Sequence, residues 1–204
     1  MSNNTRFIIH ENTNSEEILE KEKEYLKYLE AHIEGVKRNF NLYFHPFIDL
    51  TDPKPLPLLE HVSESELLTA IKDKLYSIDD HDASKYGDEE FEPYRKHWYP
   101  TATEKSLGDE YQTEAEQDYE EACIHHYKAN EHHQKHWIDS NNTLLDMPLS
   151  SIVEMICDWL SIGDYYKSST LDWWNSEKSE EERQNMTENT RLITEDILHN
   201  IIFK

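Results

Sequence analysis

The spacing of the apolar residues constrains the fold of this chain more than any other feature. In residues 15–44 apolar side chains recur every three or four positions and form a single stripe: Leu19, Leu26, Leu29, Ile33, Val36 and Phe40. This period is that of an α-helix with one buried face. Glycine is scarce, with 4 residues, and no long alternating apolar run occurs. The sequence therefore predicts an all-α fold, a single-domain helical bundle over residues 1–204.

Prolines and capping signals divide this domain into segments. Residues 1–14 are predicted to be a flexible or loosely packed N-terminus. The segment "DLTDPKPLPLLEHV" contains three prolines, so residues 45–62 are predicted to form a Pro-rich surface excursion. Ser63 and Glu66 then form a capping box that begins a second helix. A further helix begins near Pro148, and a last amphipathic helix is predicted over residues 179–202.

The charge of the chain limits its partners. The net charge of −23 makes a nucleic-acid polymer an unlikely partner, because contacts to phosphates require Lys and Arg. Glutamates spread along helices favour a solvated surface, and mimicry of a polyanion is the alternative. No run of about 18 apolar residues predicts a membrane span. The two cysteines lack CxxC spacing, and together these features predict a cytoplasmic protein with no membrane partner.

Histidines are concentrated in "HHYKANEHHQKHW", residues 125–137, which holds five of the twelve. Helical spacing over residues 109–139 places His126 and His133 on the apolar face. It places His125 and His132 on the flank of that face and His136 one turn further on. A modest rotation of the helix would reverse this order.

Other polar residues lie at inward positions of the predicted helices. His32 lies on the buried stripe of the first helix, and Asp158 lies on the helix after Pro148, four residues after Glu154. The stripe Leu67, Ile71, Leu75, Ile78 places the pair His81 and Asp82 at the C-terminal end of an inward face. Burial of so many polar groups costs several kcal/mol unless they find partners. A divalent metal ion takes imidazole nitrogens and carboxylate oxygens as ligands, so the pattern favours a metal site.

This order of residues resembles a known signature. His32, then His81 with Asp82, then Asp158 is similar to the H…HD…D signature of the HD-domain superfamily of metal-dependent phosphohydrolases, and "HDASK" is similar to the His-Asp-x-x-Lys form at that position. The resemblance implies an HD-domain-like fold with one or two divalent transition-metal ions: Fe, Mn, Co, Ni or Zn. It implies a first metal ion held by these four residues.

The resemblance also implies a second metal ion, to which Asp82 can bridge. His126 and His133 would hold it, with His125, His132 and His136 as further ligands or as residues that support the ligands. More closely, "HDASK", "HHYKANEHH" and "EMICDW" resemble an uncharacterised family of small bacterial and phage helical proteins, over residues of about 30–175.

The function implied by the HD resemblance is hydrolysis of a small phosphorylated metabolite or nucleotide. Lys85 would neutralise a phosphoryl oxygen and Glu154 would orient a ligand imidazole; these are the predicted catalytic residues. Asn130, Tyr94 and Arg95 are the predicted substrate-binding residues, with Arg95 taking phosphate oxygens in a forked contact.

Two other functions fit the same residues. A dinuclear centre rich in histidine can hold iron and perform oxidation, as an HD-type di-iron oxygenase. An acidic helical interaction protein can instead use the histidines for a structural metal site. The sequence leaves the metal, the substrate and the oligomeric state open.

Overall fold

The fold is all-α, as the apolar spacing predicts. The structure is a computed structural model that describes residues 15–204, so the predicted flexible segment 1–14 lies outside the described residues. Between Ser15 and Lys204 there are nine α-helices and no β-strand, and an isolated bridge pairs Ile138 with Leu144. Within this part of the chain, no helix is both long enough and apolar enough to cross a membrane.

The helices are numbered here in chain order. They are α1 (Ser15–Tyr43), α2 (Glu64–Leu75), α3 (Phe91–Trp98), α4 (Ala102–Ser106), α5 (Asp109–Ala129), α6 (Leu149–Tyr166), α7 (Thr170–Trp174), α8 (Glu180–Gln184) and α9 (Glu188–Ile197). Short 3-10 turns cover His45–Phe47, Ile78–Asp80, Ala83–Tyr86, Gln134–Trp137 and Glu177–Ser179, and a π turn covers Leu198–Ile202.

The described residues divide into two compact units. The first unit contains residues 15–30 and 83–126, and the second contains residues 31–82 and 127–204. Each unit therefore combines an early and a later part of the chain.

The second unit contains a large apolar core around α6. Residues 151–161 are all buried, which is typical of a helix surrounded by other elements. The core draws on the C-terminal half of α1, on α2, and on the helices that follow α6. Its buried side chains include Val36, Phe40, Phe44, Leu67, Ile71, Ile152, Val153, Met155, Ile156, Trp174, Ile197 and Ile202. Polar residues of α6 in this core need partners of their own.

Helix α2 begins as predicted but ends before the His81 and Asp82 pair. The Ser63 hydroxyl accepts the Glu66 N–H and the Glu66 carboxylate accepts the Ser63 N–H, so the capping box is confirmed. The helix ends at Leu75 and a 3-10 turn, Ile78–Asp80, precedes His81. Aspartates at the C-terminal end oppose the helix dipole and have low helix propensity, which explains the early end.

The Pro-rich segment has no helix between residues 48 and 63, yet it is anchored to the core. Leu56, Leu59 and Val62 pack against the core while half-buried. The buried Asp196 carboxylate on α9 accepts the backbone N–H groups of Glu60 and His61, each at 2.7 Å.

The last predicted helix, residues 179–202, is interrupted. It is divided into α8, α9 and the π turn. The Thr187 hydroxyl accepts the Thr190 N–H at 3.1 Å and caps α9. Thr187 competes with helix continuation because its side chain bonds the backbone locally.

The first unit is held together by aromatic rings and a buried ion pair. The Tyr25 ring lies 5.3 Å from that of Phe91 and 6.0 Å from that of Tyr99. Arg95 on α3 donates two hydrogen bonds to Glu104 on α4, each 2.7 Å long.

Candidate metal centre

Four side chains of the second unit bring potential ligand atoms together. His32 Nε2 lies 3.1 Å from Asp158 Oδ1, 3.3 Å from His81 Nε2 and 3.5 Å from Asp82 Oδ2. His81 Nε2 lies 3.7 Å from Asp82 Oδ2 and 3.9 Å from Asp158 Oδ1. Ligand atoms about 2.1 Å from a tetrahedral metal ion are about 3.4 Å apart. All four residues are buried, so the structure brings together the four residues expected to hold a first metal ion.

Each of these residues is placed by a different local feature. His32 lies on the buried stripe of α1 and Asp158 lies in the buried part of α6. Asp82 has a φ of 57°, in the left-handed region that Asp adopts more readily than most residues. Neighbouring side chains of a regular helix point about 100° apart, and the turn after α2 instead lets His81 and Asp82 face the same point.

The hydrogen bond at Nδ1 of each imidazole, on the side away from the cluster, fixes a proton on that nitrogen. His81 Nδ1 lies 2.8 Å from the Glu154 carboxylate, which can only accept. Ser161 Oγ donates to the His32 carbonyl oxygen at 3.0 Å and therefore accepts from His32 Nδ1 at 3.3 Å. When both rings are neutral, as metal ligands must be, both Nε2 atoms carry lone pairs that face the same point. The two imidazoles therefore fit a metal ion.

A second group of potential ligands lies on the other side of Asp82. His132 Nε2 is 3.5 Å from Asp82 Oδ1, whereas Asp82 Oδ2 faces His32 and His81. Asp82, His132 and His133 each offer a ligand atom within 4.8 Å of the others. Asp82 therefore has one oxygen toward each group, as a bridging carboxylate requires.

The position of His132 corrects the helical interpretation of the histidine segment. The prediction continues a helix to residue 139 and places His133 inward and His132 on the flank. Helix α5 ends at Ala129, and His132 is buried whereas His133 is only half-buried. Asn130 follows the helix and its carbonyl accepts the His133 N–H at 3.2 Å. His126 and His133 are seven residues apart and would share a face only if the helix continued. Because the helix ends before His133, His132 takes the inward position.

His126 and His125 lie in the first unit and share one carboxylate. His126 is buried, and its Nδ1 lies 2.8 Å from Glu90 Oε2. His125 is half-exposed, and its Nδ1 lies 2.7 Å from Glu90 Oε1. Ser84 Oγ is 3.3 Å from His126 Nδ1. Because Glu90 contacts Nδ1 of both histidines, the Nε2 atom of each ring points away from Glu90.

The remaining predicted site residues have the following places. Lys85 Nζ lies 5.4 Å from the centre of the Tyr94 ring, in a cation–π contact. The Tyr94 hydroxyl donates to Cys123 Sγ at 3.6 Å. His136 Nδ1, in the second unit, lies 3.3 Å from the Tyr127 carbonyl oxygen.

Arg95 does not have the free guanidinium that a substrate contact needs. Its Nη1 and Nη2 donate to Glu104, and its Nε and Nη2 donate to Glu92 at 3.1 and 2.8 Å. Only 1% of its side chain is exposed. The prediction that Arg95 takes phosphate oxygens is therefore wrong, because a buried fork of this kind stabilises the fold instead.

Buried charged groups of the second unit shift one another's pKa values. Burial disfavours the charged form of His32, but hydrogen bonds to Asp158 and Asp82 outweigh it and raise the pKa of His32 to about 9. Burial also opposes ionisation of Glu154, but its bonds to His132 and His81, with the charge of Lys74, lower the pKa of Glu154. The bond to His32 likewise lowers the pKa of Asp158 against burial. The carboxylates are thus ionised and available as ligands at neutral pH.

Sequence reasoning missed Lys74, Ser161 and Glu90. Lys74 is three residues after Ile71 and four before Ile78, so it occupies a core position of the apolar stripe, and its ammonium bonds Glu154. That position is a signal, because an unpaired lysine is rarely buried. Ser161 has a similar signal, three residues after Asp158. Nothing in the sequence marks Glu90, which lies among other acidic residues.

Gly35 allows α1 and α6 to approach closely beside His32. A Cβ at Gly35 would collide with Ser161 Oγ and lie 3.1 Å from Ser161 Cβ. We expect Gly35→Ala to lower the free energy of unfolding by about 1–3 kcal/mol, because overpacking outweighs the gain in helix propensity. Urea unfolding measures this. Gly108→Ala is the control, since a Cβ there meets nothing within 4 Å; equal effects of the two substitutions would contradict the close approach.

Fold and site together define an all-α protein with a buried histidine and carboxylate cluster that can bind a metal ion. The chain belongs to a family described as "Family of unknown function (DUF5662)", whose model matches residues 21–200. No curated protein and no solved structure matches the chain.

Proposed function

We propose that this protein is a metal-dependent phosphohydrolase that acts on a small phosphorylated metabolite or nucleotide. One observation carries the proposal: His32, His81 and Asp158 form a buried group of potential ligands, and Asp82 Oδ2 lies 3.5 Å from His32 Nε2 and 3.7 Å from His81 Nε2. This is the residue set of the HD signature, in the same order along the chain.

The charges of the cluster support a divalent metal ion. Asp82, Glu154 and Asp158 are three buried carboxylates, and Lys74 is the one buried lysine beside them. With the imidazoles neutral, as metal ligands must be, two negative charges remain, which one divalent cation neutralises. A second divalent cation, held by Asp82, His132 and His133, would leave an excess of positive charge suited to a phosphoryl dianion.

The chemistry follows from this set of ligands. A divalent metal ion supplies Lewis-acid chemistry: it lowers the pKa of water from about 15.7 toward neutrality and stabilises charge on a phosphoryl oxygen. The protein supplies orientation, because Glu154 and Ser161 hold His81 and His32 with their Nε2 atoms toward the site. The chain charge of −23 favours a small substrate over a nucleic-acid polymer.

The test compares wild type with Asp82→Asn, both without a histidine tag. Asn is chosen because it tolerates the left-handed backbone at this position, where Ala would add strain. Elemental analysis is expected to give about one or two equivalents of transition metal in wild type and a strong loss in the variant. Phosphate release from small phosphomonoesters and nucleotides, with Mn²⁺, Co²⁺, Ni²⁺, Fe²⁺ or Zn²⁺ added, should depend on the same residue.

Two outcomes would contradict the proposal. One is a wild-type protein that binds no metal after supplementation. The other is a metal-loaded protein that releases no phosphate from any of these substrates. Bound iron with visible absorbance that responds to oxygen, together with the second outcome, would assign the centre to oxidation.

A further inference from the structure

Glu154 contacts three polar side chains in the interior of the second unit. Its Oε1 lies 2.8 Å from His81 Nδ1 and 3.3 Å from His132 Nδ1. Its Oε2 accepts from Lys74 Nζ. One carboxylate oxygen thus serves two imidazoles, and the other is occupied by the lysine.

The two imidazoles belong to different groups of ligand atoms. His81 Nε2 faces the group that contains His32 and Asp158, whereas His132 Nε2 faces Asp82 Oδ1. The rings lie together, with centres 4.3 Å apart. Glu154 lies behind both rings, and Asp82 lies in front of both.

We propose that Glu154, held by Lys74, is a positioning residue that orients His81 and His132 together and thereby couples metal binding by the two groups of ligands. The inference rests on the proposed metal-dependent function and adds a residue pair that acts through the ligands rather than on the substrate.

Hydrogen-bond roles fix the orientation of both rings. A carboxylate only accepts, so each Nδ1 that faces it must carry a proton, and a neutral ring then presents its Nε2 lone pair to a metal ion. If either ring turned over, a carbon atom would replace the donor beside Glu154 and leave a buried charge with less compensation. Since both rings share one oxygen, a displacement of Glu154 disturbs both at once.

Lys74 explains why the carboxylate stays in this place. Without Lys74, Glu154 would be a buried negative charge that has lost its lysine partner, and breaking a buried ion pair is costly. Lys74 is itself buried on the stripe of α2, so its ammonium is held by the helix. The pair therefore connects the rigid helices α2 and α6 to the two histidines.

The test uses two double variants that both remove one positive and one negative charge. Lys74→Met with Glu154→Gln keeps a carbonyl oxygen that can accept from the two histidines. Lys74→Met with Glu154→Leu removes every acceptor at this point. Replacing a buried ion pair by apolar residues is often neutral for stability, so both proteins are expected to fold, as circular dichroism would show.

Calorimetric titration with Mn²⁺ and Zn²⁺ then measures the affinity at each position. We expect the double variant with Glu154→Leu to lose about 10–100-fold in metal affinity at both positions, which is the range for residues that orient metal ligands. The double variant with Glu154→Gln should keep an affinity within a few-fold of wild type. Ser161→Ala is the matched control. It removes a partner of His32 alone, so only the position that includes His32 should weaken.

A second measurement applies if the Leu variant does not fold. In zinc-loaded wild type labelled with ¹⁵N-histidine, His81 and His132 should both appear with a proton on Nδ1. A proton on Nε2 of either ring, or equal metal affinities of the Leu and Gln variants, would overturn the inference and leave the proposed function standing. A wild type that binds metal but hydrolyses no phosphoester would remove the proposed function alone, and a wild type that binds no metal would remove both.

Discussion

Asp158→Asn is expected to lower the affinity for the first metal ion by more than about 100-fold. Removing a residue that only supports a ligand costs up to about 100-fold, and removing a ligand itself should cost more. Asp158 Oδ1 lies 3.1 Å from His32 Nε2. A neutral amide is a much weaker ligand than a carboxylate for a divalent ion. The substitution preserves the size of the side chain in the buried part of α6, so it removes charge rather than packing.

Thermal unfolding with Mn²⁺ and with EDTA measures this effect. A ligand that binds only the folded state adds about 4 kcal/mol of stability at 1,000 times its Kd. Wild type should therefore melt at a higher temperature with metal, and Asp158→Asn should show a clearly smaller rise, because only the second group of ligands remains intact. Asp164→Asn, on the same helix but exposed and paired with Arg38, should behave as wild type. A metal-dependent shift of equal size in Asp158→Asn would show that this carboxylate is not a ligand.

Glu104→Gln is expected to have the largest effect on stability, a loss of about 3 kcal/mol at pH 7. Removing one partner leaves the buried Arg95 guanidinium with only the half-exposed Glu92, and breaking a buried ion pair typically costs 3–5 kcal/mol. Gln retains an oxygen for the Thr101 N–H, which Glu104 caps at 2.7 Å, so the substitution tests the ion pair rather than the helix cap.

The pH dependence of this loss has a defined sign. Burial opposes ionisation of Glu104, but hydrogen bonds from Arg95 and Thr101 outweigh it and lower the pKa of Glu104 from 4.5 to about 2. The unfolded state therefore takes up the proton first, and the stability from the pair is complete above about pH 5 and lost as the pH falls toward 2.

Urea unfolding of wild type and Glu104→Gln at pH 7, 5, 4 and 3 provides the test. The difference between the two should shrink as the pH falls. Glu92→Gln should cost about 1 kcal/mol or less, because its carboxylate is 43% exposed. A difference that stays constant with pH, or equal effects of the two substitutions, would contradict the assignment of Arg95 to the ion pair.

The regular helices could be predicted from the sequence because their signals are local. The apolar stripe of α1 and the capping box of α2 depend on residues a few positions apart. The capping box and the buried stripe from Leu29 to Phe40 appear as expected, whereas Leu19 at the start of the stripe is exposed. His32, His81, Asp82 and Asp158 could be proposed together because the resemblance supplies their order, which no local spacing contains.

The rest could not be predicted because it depends on where helices stop. Helix α5 ends at Ala129 and not at residue 139, so helical spacing no longer places the residues that follow, and His132 rather than His133 takes the inward place. The contacts of Glu90 with His125 and His126 join residues about 35 positions apart. The spacing of apolar residues along the chain carries no information about contacts at such a separation in sequence.

The left-handed backbone of Asp82 has a consequence for local stability. An L-residue in this conformation is disfavoured by roughly 1–2 kcal/mol, and the buried Asp82 and Asp158 carboxylates also face the same atom, His32 Nε2. A cation that binds the Asp82 oxygens would neutralise the repulsion between the carboxylates and offset the cost of the backbone conformation. Metal uptake would therefore act as the final step of folding at this turn, and slower amide hydrogen exchange at His81 and Asp82 after metal addition would be its signature.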